Sequence, residues 1–331
     1  MSNQCLSIGS VVRTNPPAKL NLFLELVSKR DDGFHEIDTV MVPIDLCDQL
    51  SVELIADPTI RLDVDWLPSR QIIANRLGVA AESSLLDIPS DESNLVFQAL
   101  ESFRQEFEIQ FGFHSKLLKR IPAGAGMGGA SSDAASALLC AARLCGVKPS
   151  DSRIQNIAEK LGSDVPFFLG CPHEGEGRVY AARATGRGEK LGSFAIQPLH
   201  FVVLYPNESL STARVYACST IPQDPKDVTS LIAALKAGSL AEISGQIFNR
   251  LSEPAEKILP RVGEITKSMW RSGLQACQLT GSGSACFAIL DSSDGASHAA
   301  KKLISRFEPG GLVANVRSTS VPSQVVIRDN P

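Results

Sequence analysis

The chain lacks the features that mark several large classes of protein. Its 331 residues carry a net charge of −4 and no basic block, which argues against binding to nucleic acid or to an anionic membrane surface. No apolar run is long enough for a transmembrane helix, and residues 1–10 lack the charged start and apolar core of a signal peptide. These absences predict a cytoplasmic protein, and nothing in them implies a protein partner.

Cysteine is present without any of its usual patterns. The eight cysteines are scattered, with no Cys-x-x-Cys pair and no metal-type spacing, so we expect reduced thiols that fill apolar space. Hydrophobic residues at 44% and charged residues at 21% are ordinary for a globular protein, and the length allows two cores. The glycine-rich and charged stretch over residues 171–189 is the expected boundary. We predict one domain over residues 1–180 and another over residues 181–331.

What the chain does have is a glycine-rich loop. It reads Pro122-Ala123-Gly124-Ala125-Gly126-Met127-Gly128-Gly129-Ala130-Ser131-Ser132. The flanking patterns predict a strand over residues 113–121 and a helix over residues 134–145, ended by Gly146. A strand, a glycine loop and a helix present bare backbone N–H groups and a helix N-terminus to an anion. We predict that the loop binds phosphate, that Ser131 and Ser132 cap the helix, and that one of these hydroxyls reaches a phosphate-bound Mg²⁺.

The glycine spacing alone is a weak signal. Gly124, Gly126 and Gly129 match G-x-G-x-x-G, but a nicotinamide domain needs a strand after the helix, and residues 147–151 lead instead into a predicted helix over 153–161. The Walker pattern fails because no lysine follows the last glycine. A turn that only lets a helix pack closely on a sheet is the alternative.

Lys19 is the first candidate outside the loop. Strand alternation over residues 19–26 separates two faces, with Leu20, Leu22, Leu24 and Leu26 on one and Lys19, Asn21, Phe23 and Glu25 on the other. We therefore expect Lys19 and Asn21 side by side. A solvated lysine at a strand end is the alternative.

Three later segments carry weaker signals. Phe34 and His35 follow the turn formed by residues 31–33, which suits a base-binding pair or ordinary packing. Asp164 precedes a proline and a short apolar strand predicted over residues 167–169, so it is either a turn residue or a catalytic one. Residues 281–284 form a glycine-serine turn between two predicted strands, which is usually only a hairpin.

Taken together, the motifs resemble those of a known family. They are Pro17-Ala18-Lys19-Leu20-Asn21-Leu22, Asp32-Gly33-Phe34-His35, the glycine loop, Gly162-Ser163-Asp164-Val165-Pro166 and Thr280-Gly281-Ser282-Gly283. In this order they are similar to the GHMP kinases, and most of residues 12–290 are covered. The Asp-Gly-Phe-His and Thr-Gly-Arg-Gly-Glu elements resemble the branch that acts on a cytidine diphosphate-linked methylerythritol. The resemblance implies a two-domain α+β fold, with the active site in the cleft between an ATP-binding domain (1–180) and a substrate-binding domain (181–331).

The resemblance also implies a reaction and a set of site residues. The reaction is transfer of the γ-phosphoryl group of ATP, held with Mg²⁺, to the 2-hydroxyl of the methylerythritol. The implied roles are ATP binding by Pro122 to Ser132, catalysis by Lys19 and Asp164, cytosine binding by Phe34, His35 and Tyr216, and contact with the substrate by Asn21 and Thr212. Asp164 would accept the hydroxyl proton, and Lys19 would pair with Asp164 and with the developing charge.

One departure and two alternatives accompany this interpretation. The family usually has tyrosine at the position of Phe34, so a hydroxyl is missing there. A mevalonate-type or homoserine kinase is one alternative, although such enzymes need no aromatic residue beside His35. A non-catalytic metabolite sensor is the other, although it would not need to keep both Lys19 and Asp164. Residues 66–90, 173–180 and the C-terminal tail match no motif.

Overall fold

The computed structural model describes residues 5–170 and 179–319 and the backbone of residues 326–328. The strands within these ranges are β1 (Val11–Thr14), β2 (Pro17–Lys29), β3 (His35–Cys47), β4 (Gln49–Ile55), β5 (Ile60–Trp66), β6 (Gly112–Lys119), β7 (Val179–Gly186), β8 (Lys190–Ile196), β9 (His200–Pro206), β10 (Phe248–Asn249), β11 (Gln278–Leu279), β12 (Cys286–Leu290), β13 (Gly311–Arg317) and β14 (Val326–Arg328).

The helices lie mainly between these strands. They are α1 (Arg70–Leu77), α2 (Leu95–Glu106), α3 (Gly129–Leu144), α4 (Ser152–Leu161), α5 (Val165–Leu169), α6 (Thr212–Ala217), α7 (Thr229–Ala237), α8 (Leu240–Gln246), α9 (Ser252–Ile258), α10 (Pro260–Arg271) and α11 (Ser293–Phe307), with a 3₁₀ turn at Ser84–Leu86. The mixture of helices and sheets confirms the predicted α+β class.

The described strands form three sheets. Their orders are β14-β1-β4-β6-β5, β10-β2-β3-β7-β8 and β11-β12-β9-β13. The pairs β5–β6 and β10–β2 are parallel, and the other pairs in these sheets are antiparallel. The predicted boundary at residue 180 falls inside β7, which pairs with β3 on one side and β8 on the other. The division into two domains stays a prediction.

Helices α2, α3, α4 and α5 form one layer, packed around a shared core with the first sheet. In α2 the buried residues are Val96, Ala99, Leu100 and Phe103, a helical spacing that turns one apolar stripe inward. Helix α3 is buried on nearly all sides, and its many alanines let neighbouring elements approach its backbone closely. This packing fixes the start of α3, where the glycine loop ends.

Strand β2 contains a bulge that changes which residues share a face. Asn21 lies opposite Met41 and Phe23 opposite Val40, so Leu22 is the extra residue. The predicted alternation holds up to Asn21, and Lys19 and Asn21 do lie side by side. It is wrong beyond the bulge, because Phe23 packs in the core with Leu20 and Leu22, whereas Leu24 and Leu26 belong to a different core cluster.

Candidate active site

One large cavity, of about 1250 Å³, is lined by residues from both halves of the chain. The site residues predicted from the sequence that line it are Lys19, Asn21, Phe34, His35, Pro122 to Ser131, Asp164, Thr212 and Tyr216. Strands β2 and β3, the glycine loop, the start of α5, helix α6 and the turn at Gly281–Ser282 supply its walls. The structure therefore brings nearly all of the predicted residues to one place.

The glycine loop needs glycine for its backbone and for a close contact. Gly124, Gly126 and Gly128 have φ values of 66°, 76° and 70°, in the left-handed region that other residues rarely adopt. A Cβ on Gly126 would lie 2.2 Å from the carbonyl oxygen of Thr280. The turn that follows Thr280 packs directly on the loop, and the N–H of Ala285 donates to the carbonyl of Ala125 over 3.2 Å. The turn is therefore part of the cavity wall rather than only a hairpin.

The helix after the loop begins earlier than predicted. Helix α3 starts at Gly129, and its N-cap is Gly128, whose left-handed φ ends the loop without a side-chain cap. The predicted capping by Ser131 and Ser132 is wrong, because both lie in the first turn of α3. Ser131 lines the cavity, whereas Ser132 is fully buried and its hydroxyl has no hydrogen-bond partner among the described residues. Of the two candidate metal ligands, only Ser131 faces the cavity.

Lys19 and Asp164 meet across the cavity. The Nζ of Lys19 lies 3.6 Å from Oδ2 of Asp164, and Lys19 is 4% exposed. The same ammonium donates to Oδ1 of Asn21 over 2.5 Å, and the Asn21 amide donates to the Thr39 hydroxyl over 2.8 Å. The backbone N–H of Lys19 donates to the carbonyl of Met127 in the glycine loop. These contacts hold one buried cation between a carboxylate and the loop.

Asp164 stands at the start of a helix, not before a strand. Residues 165–169 form the short helix α5, with Asp164 as its N-cap residue and a proline in the first turn. The strand predicted over residues 167–169 is wrong, because a run of three apolar residues does not distinguish a strand from a buried helix, and Pro166 suits a helix start. The helix directs Asp164 to the cavity, where its side chain is 31% exposed.

The aromatic residues of the cavity form a different pair from the one expected. The rings of His35 and Tyr216 lie with centroids 5.3 Å apart at 41°, while Phe34 is 54% exposed and lies beside Arg187. Burial, with a smaller effect from Lys29, lowers the pKa of His35, so its ring is neutral at neutral pH. Burial raises the pKa of Tyr216, which keeps its hydroxyl protonated. His35 and Tyr216 thus form a pair of uncharged rings, tilted to each other, on the cavity wall.

Arg187 is a cavity residue to which the sequence analysis gave no role. Its guanidinium carbon lies 5.1 Å from the centre of the Phe34 ring, and it has no carboxylate within salt-bridge distance among the described residues. The neighbouring Gly188 lies beside Asp164, since a Cβ there would be 3.8 Å from Oδ1. The Thr-Gly-Arg-Gly-Glu motif could have pointed to Arg187, because two glycines around an arginine bring its backbone close to another element.

Thr212 and the turn at residues 281–284 close the remaining side. The Thr212 hydroxyl lies 2.8 Å from that of Ser282, so helix α6 is tied to the turn. Asn249 also holds the turn, because its side-chain amide donates to the carbonyl of Gly281 over 2.8 Å. The backbone N–H of Asn21 donates to the Thr280 hydroxyl over 3.0 Å. The turn therefore contacts the glycine loop, β2 and α6 at once.

The donor groups present suit a magnesium ion carried by phosphates. Among the residues that the structure describes, no group of three or more histidine, cysteine, aspartate or glutamate side chains could hold a metal by itself. Mg²⁺ typically takes one or two protein ligands and completes its shell with phosphate oxygens and water. The Ser131 hydroxyl and the Asp164 carboxylate are oxygen donors that line the cavity.

The fold and the cavity define a class of protein, and sequence comparison agrees. Models of the GHMP kinase N-terminal and C-terminal domains match residues 94–170 and 231–309. The chain is 45% identical over 322 residues to 4-diphosphocytidyl-2-C-methyl-D-erythritol kinase of Rhodopirellula baltica, covering 95% of this chain and 97% of that one. The chain belongs to the GHMP kinase family, whose members are small-molecule kinases.

Solved structures show the same relationship. A crystal structure of 4-(cytidine 5'-diphospho)-2C-methyl-D-erythritol kinase matches with a TM-score of 0.69 at 30% identity, over 92% of this chain and 98% of that one. Homoserine kinase from Cytophaga hutchinsonii also matches with a TM-score of 0.69, over 97% and 98% of the two chains, but at 16% identity it shares the fold alone. In the part of the chain that the structure describes, no helix is both long and apolar enough to span a membrane.

Proposed function

We propose that the chain is an ATP-dependent kinase that phosphorylates the 2-hydroxyl of 4-diphosphocytidyl-2-C-methyl-D-erythritol in the non-mevalonate isoprenoid pathway. The observation that carries the proposal is the Lys19–Asp164 pair, 3.6 Å apart, in one cavity with the glycine loop and the His35–Tyr216 rings. A phosphate-binding loop, a carboxylate that can accept a proton and a surface for a base are the parts that this reaction needs. The Rhodopirellula baltica relative and the first of the two solved structures named above are named as kinases of this compound.

The glycine loop and the start of α3 form the nucleotide site. Bare N–H groups of the loop and the N-terminus of the helix hold the β- and γ-phosphates. Bound Mg²⁺, with Ser131 as a ligand, would neutralise phosphate charge. We assign ATP binding to residues 1–180 and part of the substrate binding to residues 181–331, with β2 and β3 shared between the two sites.

Asp164 and Lys19 act on the acceptor hydroxyl. Asp164 accepts its proton as the oxygen attacks the γ-phosphorus, the bond from that phosphorus to the β–γ bridging oxygen breaks, and ADP leaves. Lys19 offsets the negative charge that develops on the attacking oxygen and the transferred phosphoryl group. Asn21 fixes the position of the Lys19 ammonium through their 2.5 Å hydrogen bond. The low exposure of Lys19 strengthens these electrostatic contacts, because less water screens them.

His35 and Tyr216 offer stacking to the cytosine, and Arg187 offers its cation to the diphosphate. A neutral imidazole can donate and accept hydrogen bonds, which stacking alone does not provide, so we assign recognition of cytosine over uracil to His35. Arg187 lies at the edge of the same surface and is suited to a bidentate contact with phosphate oxygens. We place the protein in the cytoplasm, where ATP is available.

A substrate panel tests the proposal. ADP release is measured with 4-diphosphocytidyl-2-C-methyl-D-erythritol, mevalonate and homoserine at equal concentrations. We expect turnover only of the cytidine compound. Turnover of mevalonate or homoserine instead would assign the chain to another branch of the family, and nucleotide binding without turnover of any of them would favour a sensor.

A further inference from the structure

The side chain that holds the Lys19 ammonium is itself held by a threonine on the neighbouring strand. The side-chain amide of Asn21 donates to the hydroxyl of Thr39 on β3 over 2.8 Å, and that hydroxyl donates to the carbonyl of Phe23 over 2.5 Å. Thr39 and Asn21 are 1% and 3% exposed, and both line the cavity. Thr39 has no part in the roles assigned above.

The pairing of β2 with β3 brings these two side chains together. Asn21 lies opposite Met41, and Thr39 comes two residues before Met41, so it lies on the same face of β3. The bulge directly after Asn21 places Leu24, rather than Phe23, opposite Thr39. In this register the Thr39 hydroxyl has a backbone acceptor on one side and the Asn21 amide on the other.

The hydrogen bonds in this chain of contacts have one consistent direction. A carbonyl oxygen can only accept, so the single proton of the Thr39 hydroxyl points to Phe23 and its lone pairs are left for another donor. Asn21 therefore turns its NH₂ group to Thr39 and its Oδ1 to Lys19. A reversed amide would place two donors together, because an ammonium has no lone pair to accept with. The backbone of β2 thus sets the orientation of the acceptor that holds the Lys19 ammonium.

The backbone of Asn21 is held by a different residue. Its N–H donates to the hydroxyl of Thr280, which is fully buried, over 3.0 Å. Loss of the Thr39 hydroxyl would therefore leave this backbone contact in place and release only the Asn21 side chain. The Nζ of Lys19 lies 3.6 Å from Asp164, too far for a hydrogen bond, but 2.5 Å from Asn21. The ammonium is therefore directed by Asn21 more closely than by Asp164.

We propose that Thr39 is a positioning residue for phosphoryl transfer, which acts through Asn21 on the Lys19 ammonium. The proposal rests on the proposed function, in which Lys19 offsets charge at the reacting centre. Removal of the Thr39 hydroxyl should slow the chemical step, because small displacements of a group that stabilises the transition state are costly. Affinities for the substrates should change little, because the groups assigned to the nucleotide and to the cytosine are other residues of the cavity.

Single-turnover and steady-state kinetics of threonine variants test the proposal. Thr39→Val keeps the shape of the side chain and removes its hydroxyl. It should lower the rate of the chemical step by at least about tenfold and change KM for ATP and for the cytidine substrate by less than about threefold. Thr39→Ser, which keeps the hydroxyl, should recover most of the rate.

Thr266→Val is the matched control. The Thr266 hydroxyl also donates to a backbone carbonyl, that of Val262, over 3.0 Å, but it lies in α10 and is not among the residues that line the cavity. This variant should keep the wild-type rate. If Thr39→Val does not fold, Thr39→Ala, which removes the same hydroxyl and adds no atoms, takes its place in each comparison.

A double variant separates positioning from a general effect on packing. If Thr39 acts through Lys19, its hydroxyl has no further effect once the ammonium is gone. The chemical rate of Lys19→Met/Thr39→Val should then equal that of Lys19→Met within about twofold. Looser packing of the cavity would instead slow the double variant by the full factor seen in Thr39→Val alone.

The possible failures are distinguishable. A wild-type rate in folded Thr39→Val, a loss in Thr39→Ser as large as that in Thr39→Val, or additive losses in the double variant would overturn the inference and leave the kinase assignment intact. Absence of turnover of the cytidine compound by the wild type would contradict the proposed function itself, and with it the role of Thr39.

Discussion

Lys19 and Asp164 are opposite charges that would have little effect on a solvated surface. Here Lys19 is 4% exposed and its ammonium lies beside Asp164 and Asn21, so its interactions are screened far less than those of a surface pair. The carboxylate remains partly exposed, which leaves it open to an incoming hydroxyl. This difference in exposure suits the roles proposed for the two side chains.

We expect Asp164→Asn and Lys19→Met to fold, to bind MgADP within about threefold of the wild type, and to lose most of kcat. Proton transfer by a positioned side chain contributes roughly 10²–10⁴-fold to a rate, so losses in that range are predicted. Single-turnover kinetics measure them, with Lys116→Met, at an exposed position of β6, as the control. Chemical rates within about threefold of the wild type in both variants would remove the pair from the mechanism.

The rings of His35 and Tyr216 give a second prediction at the scale of single residues. Because Tyr216 packs on His35 and Phe34 is half exposed, Tyr216→Leu should raise KM for the cytidine substrate by at least about tenfold, as expected from stacking worth about 1–3 kcal/mol. Phe34→Tyr should change KM by less than about twofold, since it keeps the ring. KM for ATP should not move in either variant. An unchanged substrate KM in Tyr216→Leu would place the base elsewhere.

At the scale of elements, the glycine loop and the turn after Thr280 act as one unit. The loop has three left-handed glycines, and one of them makes room for the Thr280 carbonyl. This turn is also hydrogen-bonded to β2, through Asn21, and to α6, through Ser282. The loop and the turn are thus in contact with the elements that line the rest of the cavity.

Gly126→Ala tests this unit, with Gly273→Ala as its control. Both glycines have a positive φ, so each alanine carries a backbone penalty of about 1–2 kcal/mol. Only the Cβ at position 126 meets another atom, 2.2 Å from the Thr280 carbonyl, whereas nothing lies within 4 Å at position 273. We expect Gly126→Ala to weaken MgADP binding by at least about tenfold in calorimetry and Gly273→Ala to leave it unchanged. Equal nucleotide affinities in the two variants would mean that the contact has no role.

Much of this element-level structure could be predicted from the sequence, because it follows from local patterns. Alternation places Lys19 beside Asn21, and the run of glycines predicts the phosphate loop between a strand and a helix. The start of α3 was missed because Gly128, rather than a serine, ends the loop. Helix α5 was missed because five residues are too few to show a period.

Other parts of the site depend on contacts between residues far apart in the chain. The bulge at Leu22 is set by the pairing of β2 with β3, and no local signal marks it. A buried cluster of ion pairs joins Asp48, Lys119 and Asp133, each of which looks like an ordinary charged residue in isolation. The choice of His35 rather than Phe34 as the partner of Tyr216 depends on how α6 packs against the turn before β3.

At the scale of the whole molecule, β2 connects the two halves of the chain. Its Glu25 is fully buried and receives two hydrogen bonds of 2.6 Å from Arg250, which follows β10. Burial by itself would raise the pKa of Glu25, but Arg250 and the backbone N–H groups of Lys226 and Leu26 lower it below its ordinary value. The paired, ionised form therefore stabilises the fold.

Arg250→Ala should destabilise the protein by about 3–5 kcal/mol, because it leaves a buried carboxylate without its partner. A lowered pKa in the folded state means that Glu25 stabilises the wild type above its unfolded pKa of about 4.3, and that this contribution is lost as the pH falls through the folded value. The difference in free energy of unfolding between the wild type and Arg250→Ala should therefore shrink at low pH. Urea unfolding at pH 7 and pH 4 measures it.

The exposed pair Lys257–Glu253 supplies the control for this prediction. Its side chains are 68% and 78% exposed, so Lys257→Ala should cost no more than about 0.5 kcal/mol at either pH. If Arg250→Ala lowers the free energy of unfolding by as little as the control does, the Glu25 contact does not hold the two halves of the chain together.

The central claim is that this cavity transfers phosphate to one hydroxyl of a cytidine diphosphate-linked polyol. ³¹P NMR of a reaction containing ATP, Mg²⁺ and 4-diphosphocytidyl-2-C-methyl-D-erythritol observes the transfer directly. We predict one new phosphomonoester signal, formed in a 1:1 ratio with ADP, while the diphosphate signals of the substrate are retained. Release of inorganic phosphate without a new ester, or no consumption of ATP, would contradict the account.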